Sequence, residues 1–438
     1  MSKRVRNIDS LMQEERSLNE AETHNTQPSM TVRRRGAWSQ VFQAVLVPAL
    51  AVLTALIIGA VVIAISDVAV VAAYRNFFAA PGKALAATWQ TVRTAYGALF
   101  QGSFGNPEEL VQAVKAYLAT KETGPLWQAL WPITESLVAA TPYILAGLAV
   151  ALGFRCGLFN IGVEGQFFMG ALASAYIGYR LTTLPTLVHL SLAILAGALG
   201  GALWAAIPGY LKAKTGAHEV VNTIMMNWIA FRFSDWLLNG PMKAPGYRPI
   251  TPQIEPTAEL PRFFPAPLRL NVGFLLALAT AAVVYWFLFK TTTGFEIRTV
   301  GANPRAARYA GMNITRNFVL AMVLSGALAG LAAATQVLGV DHWVGQGFSA
   351  GYGFDAIALA LLGKSHPLGV VLASLLFGFL RGGATRMQSL AGIPIDIISI
   401  IQALVIVFIA APDIIRWLYR LRAGRGIEEL VLTRGWGG

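Results

Sequence analysis

Val41–Ser66 reads VFQAVLVPALAVLTALIIGAVVIAIS, an apolar run without a formally charged residue. As a helix rising ~1.5 Å per residue it is about 39 Å long, enough to cross a ~30 Å hydrocarbon core with some tilt. A cleavable signal peptide has a shorter apolar core nearer the terminus, so the run reads as a retained first span. The rest of the composition agrees. The chain of 438 residues is 55% hydrophobic and 13% charged, against about 25% charged in soluble domains. A soluble fold of this size could not hide that much apolar surface from water.

Beyond it, further apolar runs lie at 133–154, 165–180, 187–211, 220–238, 272–289, 318–340, 354–380 and 397–415. Backbone polar groups inside a bilayer must be paired within each span, so the expected form is helical. The net charge of +12 would suggest a nucleic-acid partner in a soluble protein. Here the basic residues sit mostly in tails and short loops, where they set membrane orientation, and no nucleic-acid partner is expected. Arg33, Arg34 and Arg35 precede the first span, and Arg416, Arg420, Arg422 and Arg425 follow the last. Lys290, Arg298, Arg305, Arg308 and Arg316 face a single acid, Glu296, in the loop 290–317. Both termini and that loop are therefore expected on the cytoplasmic side.

Two inside termini require an even number of crossings. The run 354–380 is interrupted by Gly363-Lys364-Ser365-His366-Pro367. It reads as a short descending helix, 354–363, and a returning one, 367–380, with a re-entrant pair as the alternative. The expectation is an all-α polytopic transmembrane bundle of about ten spans (about eight to ten). A cytoplasmic tail at 1–40 precedes a membrane domain at 41–420, and a second tail occupies 421–438. The segment 67–130 is mixed, with turn signals at Pro81-Gly82 and Gly105-Asn106-Pro107, and reads as a partly helical outer loop. The segment 239–271 carries Pro241, Pro245, Pro249, Pro252, Pro256, Pro261, Pro265 and Pro267. No regular helix survives that spacing, so it reads as an ordered outer loop. Gly197/Gly201 and Gly326/Gly330 have G-x-x-x-G spacing, which lets helix backbones approach closely. Either bundle packing or a dimer contact could use it.

Three segments break the apolar pattern. Gly157–Gln166 (GLFNIGVEGQ) places Asn160, Glu164 and Gln166 between two runs. An ionisable group at membrane depth defaults to a functional hypothesis, here a solute pathway. A plain helix–helix turn capped by Asn160 is the other reading. Gly216–Trp228 (GAHEVVNTIMMNW) sends Asn222 and Asn227 into an apolar helix, with Trp228 behind them. They need either another helix or a polar solute as partner. The third stands in the basic loop: Asn303-Pro304-Arg305-Ala306-Ala307-Arg308-Tyr309-Ala310-Gly311. Asn is a favoured N-cap, Pro suits the first helical position, and Gly suits the residue after the end. The spacing predicts a two-turn helix that is marginal in water and must be held by packing or a partner.

Other chemistry is not encoded. Ala358–Ser365 mimics a phosphate loop, but it begins with Ala and its interior is apolar. Gly345–Ala350 resembles a dinucleotide fingerprint but follows no strand. Cys156 is the only cysteine, and His24, His189, His218, His342 and His366 lack metal-ligand spacing, so no metal is expected. No cofactor is expected on this chain, and any ATP and magnesium would be used by another one. An acid/base or nucleophile pair for an enzyme is also missing.

GLFNIGVEGQ (157–166), GAHEVVNTIMMN (216–227), GANPRAARYAG (301–311) and GYGFDAIALALLGKS (351–365), in this order, resemble the membrane permease subunits of bacterial ABC importers. The nearest group serves nucleosides and simple sugars and is related to ribose and branched-chain amino-acid permeases. The likeness covers roughly 130–420. It implies a pathway formed by two permease subunits, homo- or heterodimeric, in the bacterial cytoplasmic (inner) membrane. It also implies two cytoplasmic ABC ATPases as partners and an extracytoplasmic solute-binding protein. The family's coupling helix maps to Asn303, Pro304, Arg305, Ala307, Arg308, Tyr309 and Gly311. Nucleoside is the expected solute and simple sugar the next. Asn160, Glu164, Gln166, Asn222, Asn227 and Trp228 are the expected pathway residues. An ion-coupled secondary transporter is the alternative, although few spans carry the buried ionisable groups that it would use for coupling.

Overall fold

A computed structural model describes residues 37–394 and 396–420. The basic residues expected to orient the ends, Arg33 to Arg35, Arg422 and Arg425, lie outside them. The described elements are helical, joined by irregular segments with two isolated bridges, Ile250 to Gly345 and Arg262 to Asn271. By backbone contacts the chain divides at Leu46, within the first helix. The larger unit, from Val47 onward, holds the helix bundle.

The helices are α1 (Ala37–Ser66), α2 (Val68–Arg75), α3 (Pro81–Phe104), α4 (Pro107–Thr120), α5 (Gly124–Arg155), α6 (Val163–Arg180), α7 (Thr186–Thr215) and α8 (Glu219–Asn239). After the proline-rich segment come α9 (Gly273–Lys290), α10 (Thr292–Ala302), α11 (Pro304–Tyr309) and α12 (Ile314–Gln336), which ends in a wide turn at Val337–Asp341. The chain closes with α13 (Tyr352–Leu362), α14 (Pro367–Ala391), α15 (Asp396–Ala410) and α16 (Pro412–Leu418).

Among the described residues, six helical stretches are long and apolar enough to cross a membrane: Leu46–Ser66, Gly124–Arg155, Thr186–Thr215, Gly273–Lys290, Ile314–Asp341 and Pro367–Ala391. A bent pair, Asp396–Ile409 with Pro412–Leu418, makes a seventh if it is one span. Length and composition together therefore account for six or seven of the ten expected crossings. The interrupted run at 354–380 does split at Gly363–His366, with Lys364 and Ser365 at positive φ. Its first half, α13, has 11 residues, about 16 Å, and is half a crossing rather than a whole one. Its second half continues past 380 to Ala391.

The turn signals in 67–130 mark helix starts. Pro81 and Pro107 each open a helix, and Asn106 accepts the Glu108 N–H at 3.0 Å. Asp67 caps α2 through Ala69 N–H (2.7 Å) and takes the Thr91 hydroxyl of α3 at 2.8 Å. The α3 helix packs against α14, where Ser103 Oγ donates to Phe379 O at 2.6 Å. This segment is thus more helical than its mixed composition suggests, because Pro81 and Pro107 begin helices and Asp67 and Asn106 act as helix caps.

Lipid is written into α7. Ala193, Gly197, Gly201, Ala205 and Gly209 are buried, whereas Leu195, Leu199, Leu203 and Ile207 face outward. Small inside and large apolar outside inverts the pattern of a soluble helix and suits a helix packed in hydrocarbon. The two G-x-x-x-G pairs meet each other. A Cβ on Gly201 would strike Gly326 O and stand 2.8 Å from Gly330 N, and one on Gly330 would strike Gly197 O. They form the internal seam between α7 and α12, so bundle packing, and not a dimer contact, uses them. Around that seam α12 also packs on α5 and α6, which makes it the central helix.

The proline-rich segment is ordered, as expected. One short turn (Pro256–Ala258) interrupts it, and Ile254, Ala258, Leu260 and Leu268 are buried. Its backbone is paired: Thr251 N–H to Val344 O (2.9 Å), Ile254 N–H to His342 O (2.9 Å), and Leu260 N–H to Leu338 O (2.8 Å). It therefore covers one end of α6 and α12. The loop with α10 and α11 marks the other end.

Candidate functional site

At the loop end, α11 forms as its sequence predicts. Asn303 Oδ1 accepts the N–H groups of Arg305 (3.0 Å) and Ala306 (3.1 Å), Pro304 starts the helix, and Gly311 stands just past its end at φ +80°. Only Ala307 is buried; Arg305, Arg308 and Tyr309 point away from the body, with Tyr309 94% exposed. A six-residue helix is marginal by itself. Its hold on the bundle runs through α10, where Ile297 and Val300 are buried, Arg298 Nε donates to Leu288 O (2.9 Å), and Glu296 accepts from Asn317 Nδ2 (3.0 Å).

The α10 helix ends against the break between α5 and α6. Gly157 has φ +73°, and its Cα carries no side chain where Gly301 lies. A Cβ on Gly301 would strike Arg155 O and stand 2.8 Å from Gly157 N. Both positions need glycine for this backbone contact. The loop that carries α10 and α11 and the Arg155–Gly162 break are therefore in direct touch.

Beyond that contact the break is a closed polar network. Asn160 and Gln166 exchange amide hydrogen bonds at 3.0 and 3.1 Å, and Asn160 Nδ2 also donates to Ser325 Oγ of α12 (2.9 Å). Gly162 N–H donates back to Asn160 Oδ1 at 3.0 Å, and Ser325 Oγ donates to Ala149 O at 2.6 Å. From α8, Asn227 accepts the Gly165 N–H (2.8 Å) and donates to Ile161 O (3.0 Å). Glu164 accepts the Gly353 N–H at 2.7 Å, and its other oxygen takes the Ser349 hydroxyl. All four side chains are buried.

Four of the six sequence-predicted pathway residues thus lie around the break: Asn160 and Gln166 pair with each other, Asn227 with the Gly165 and Ile161 backbone, and Glu164 with Ser349 and Gly353. Asn222 and Trp228 stand apart. Trp228 is 58% exposed and packs edge-on against Phe231. Asn222 keeps its Nδ2 buried without a hydrogen-bond partner.

A second group lies deeper, among residues that the sequence motifs do not single out for a pathway. Tyr143 of α5 donates its hydroxyl to Asp355 of α13 (2.7 Å) and accepts from Arg381 Nη1 of α14 (2.7 Å). The Arg381 guanidinium stands over the Tyr352 ring, 4.5 Å from its centroid. Tyr352 meets Tyr143 edge-on at 4.7 Å and stacks on Phe167 of α6 at 5.8 Å. Along α5, Tyr143 is about 18 Å from the Arg155 end that touches the α10–α11 loop, and about 12 Å from Glu135. Glu135 pairs with Arg269 of the proline-rich segment, whose Nε lies 3.1 Å from its carboxylate. The cluster therefore sits between the two ends of the bundle. The chain does carry a signal for it: an Arg in α14 and an Asp in α13, both flanked by apolar sequence. An apolar run ended at 380 leaves Arg381 just outside it, and Asp355 stands inside a motif whose pattern assigns it no role.

The family model described as "Branched-chain amino acid transport system / permease component" matches residues 133–410. The chain belongs to this permease family. The α11 helix, the break and the Tyr143–Asp355–Arg381 cluster all lie inside the matched region. The guanosine ABC transporter permease protein NupP of Bacillus subtilis is 39% identical over 318 residues, covering 70% of this chain and 90% of that protein. The glucose ABC transporter permease protein TsgB13 of Haloferax volcanii is 36% identical over 307 residues, covering 68% and 80%. The nucleoside ABC transporter permease protein NupB of Lactococcus lactis is 36% identical over 292 residues, covering 65% and 80%. No solved structure matches. The chain is a multi-pass membrane permease subunit of an ABC importer, which works with an ATPase and a solute-binding protein, and it is not itself an enzyme. The ion-coupled alternative is not supported.

Proposed function

We propose that this permease subunit carries nucleosides across a bacterial cytoplasmic membrane by alternating access. The observation that supports it is the capped, outward-pointing α11, joined through the Gly301–Gly157 contact to the break between α5 and α6. ATP binding and hydrolysis with magnesium, on two partner ATPases, would move α11. Two permease subunits would enclose the path, and this chain would bind no cofactor of its own. Arg305, Arg308 and Tyr309 present charge and an aromatic ring to the ATPase, while Asn303, Pro304, Ala307 and Gly311 keep the helix formed and seated.

In the same reading α6, α8, the half-length α13 and the bent pair α15–α16 complete the crossings that the six long helices leave uncounted, ten in all, with both termini inside. Asn160, Glu164, Gln166 and Asn227 position the break, and Asn222, with its unpaired donor, faces the path when the bundle opens. The guanosine and nucleoside permeases among the relatives support nucleoside as solute. The glucose permease TsgB13 favours a second reading, simple sugar.

The test is ATP-dependent uptake of radiolabelled guanosine and glucose by the permease reconstituted with its ATPase and binding protein. Uptake of guanosine but not glucose is expected, and reversing Arg305 and Arg308 to Glu together is expected to abolish it. Undiminished uptake in that double variant would falsify the handle.

A further inference from the structure

We propose that Asp355 and Arg381, bridged by the Tyr143 hydroxyl, form the solute contact of the pathway, and that Tyr143 holds the place of a solute hydroxyl while the path is closed. This rests on the permease reading above. It adds which residues meet the solute and what kind of solute they take.

The geometry differs from that of a structural ion pair. A buried carboxylate and guanidinium recover their desolvation cost through direct, often bidentate contact. Among the described residues no carboxylate oxygen lies within 4.0 Å of an Arg381 nitrogen. The two charges are held one phenol oxygen apart, each 2.7 Å from it. That oxygen donates to the acid and accepts from the base, as a sugar hydroxyl can. Both charged side chains are half-buried, whereas Tyr143 is fully buried. Spare acceptor and donor positions therefore remain on Asp355 and Arg381.

The surroundings suit a planar ring. Tyr143, Phe167, Tyr352 and Phe377 come from four different helices, α5, α6, α13 and α14, and their ring centroids are 4.7 to 6.3 Å apart along the chain of contacts. Movement of any one helix opens an aromatic face, and such faces take planar rings by stacking. One carboxylate and one guanidinium make the site neutral overall. An anionic solute would leave the carboxylate opposed by like charge in a low-dielectric setting. The class that fits is an uncharged solute with a planar ring, hydroxyls, and both donors and acceptors: a nucleoside, not a nucleotide.

The position also explains how the site could be worked. Asp355 lies two residues from Gly353, whose N–H holds Glu164, and Glu164 begins the helix that leaves the Gly157 break. A shift at the break is thereby passed to α13, which carries Tyr352 and Asp355.

The test compares D355N, R381Q and Y143F in the reconstituted complex, at equal membrane abundance, for guanosine KM and for the maximal uptake rate. D355N and R381Q are expected to raise guanosine KM about tenfold or more, the loss of one charge-assisted contact. Y143F, which keeps both charges and loses only the bridging hydroxyl, is expected to leave KM near wild type. A uniform fall in maximal rate with unchanged KM in D355N and R381Q assigns them a packing role and overturns the proposal. Equal damage from Y143F overturns the placeholder. Guanosine 5′-monophosphate transported as well as guanosine overturns the neutral-solute class. If the wild-type complex carries glucose and not guanosine, the nucleoside reading has failed by itself. The charge pair is then judged on glucose, where an unchanged KM overturns it as well.

Discussion

Substituting Gly301→Ala is expected to uncouple ATP hydrolysis from transport without unfolding the protein. The added Cβ would stand 2.8 Å from both the Cys156 carbonyl carbon and Gly157 N, where ordinary contact begins at 3.4 Å. Both atoms belong to backbone, so no flexible side chain can yield. The α10 end and the break must part by about 0.6 Å or more, an overpacking strain of about 1–3 kcal/mol. If the strain falls on the docked arrangement that transmits motion, that arrangement becomes about 5- to 150-fold less populated. The assay is the ratio of solute accumulated to ATP hydrolysed in proteoliposomes, with the melting temperature in detergent as a check on folding. Gly311→Ala serves as a control: φ is +80° there, but nothing lies within 4 Å, so it strains α11 locally without touching the break. A G301A complex with an unchanged solute-to-ATP ratio and a normal melting temperature would refute the idea that this contact carries the stroke.

Packing and hydrogen bonding give three further expected outcomes. Asn303→Ala removes two capping bonds from α11, costs about 1 kcal/mol, and should weaken ATPase co-purification; Asn303→Gly should cost only a few tenths of that, which separates cap loss from contact loss. Gly330→Ala pushes a methyl into the Gly197 backbone and should lower the melting temperature through about 1–3 kcal/mol of overpacking, with no change in oligomeric state on size exclusion, because the seam is internal. Glu164→Gln sets an amide against the Gly353 N–H and the Ser349 hydroxyl. Leaving one of those donors unsatisfied should cost about 1–3 kcal/mol, read as a lower melting temperature and faster hydrogen exchange around residues 349–353.

Much of the architecture is legible in the chain because local rules decide it. Asn303, Pro304 and Gly311 delimit α11 through backbone geometry that neighbours scarcely alter, and the cap bonds form as the spacing implies. The Pro-rich segment could not be helix and is not. Apolar runs alone do not fix the number of crossings: α13 is apolar, but its 11 residues are too short for a full span. The 67–130 segment is more helical than its turn residues suggest because such residues also begin helices, and Pro81 and Pro107 do so here.

Residue order alone dictates that the chain enters a bilayer, that it is helical there, and that a short capped helix stands in its basic loop. Transfer of side chains into lipid and the capping of backbone groups are properties of a few adjacent residues, so one dimension is sufficient for them. Tertiary packing was needed to bring Gly301 to Gly157, to seat one G-x-x-x-G in the other, and to set Asn227 of α8 on the Gly165 and Ile161 backbone. It also makes Tyr143, Asp355 and Arg381 share one oxygen, although more than 200 residues of chain separate the first from the other two. Such meetings depend on which helix faces which, a matter of close packing across the whole bundle that no local pattern encodes.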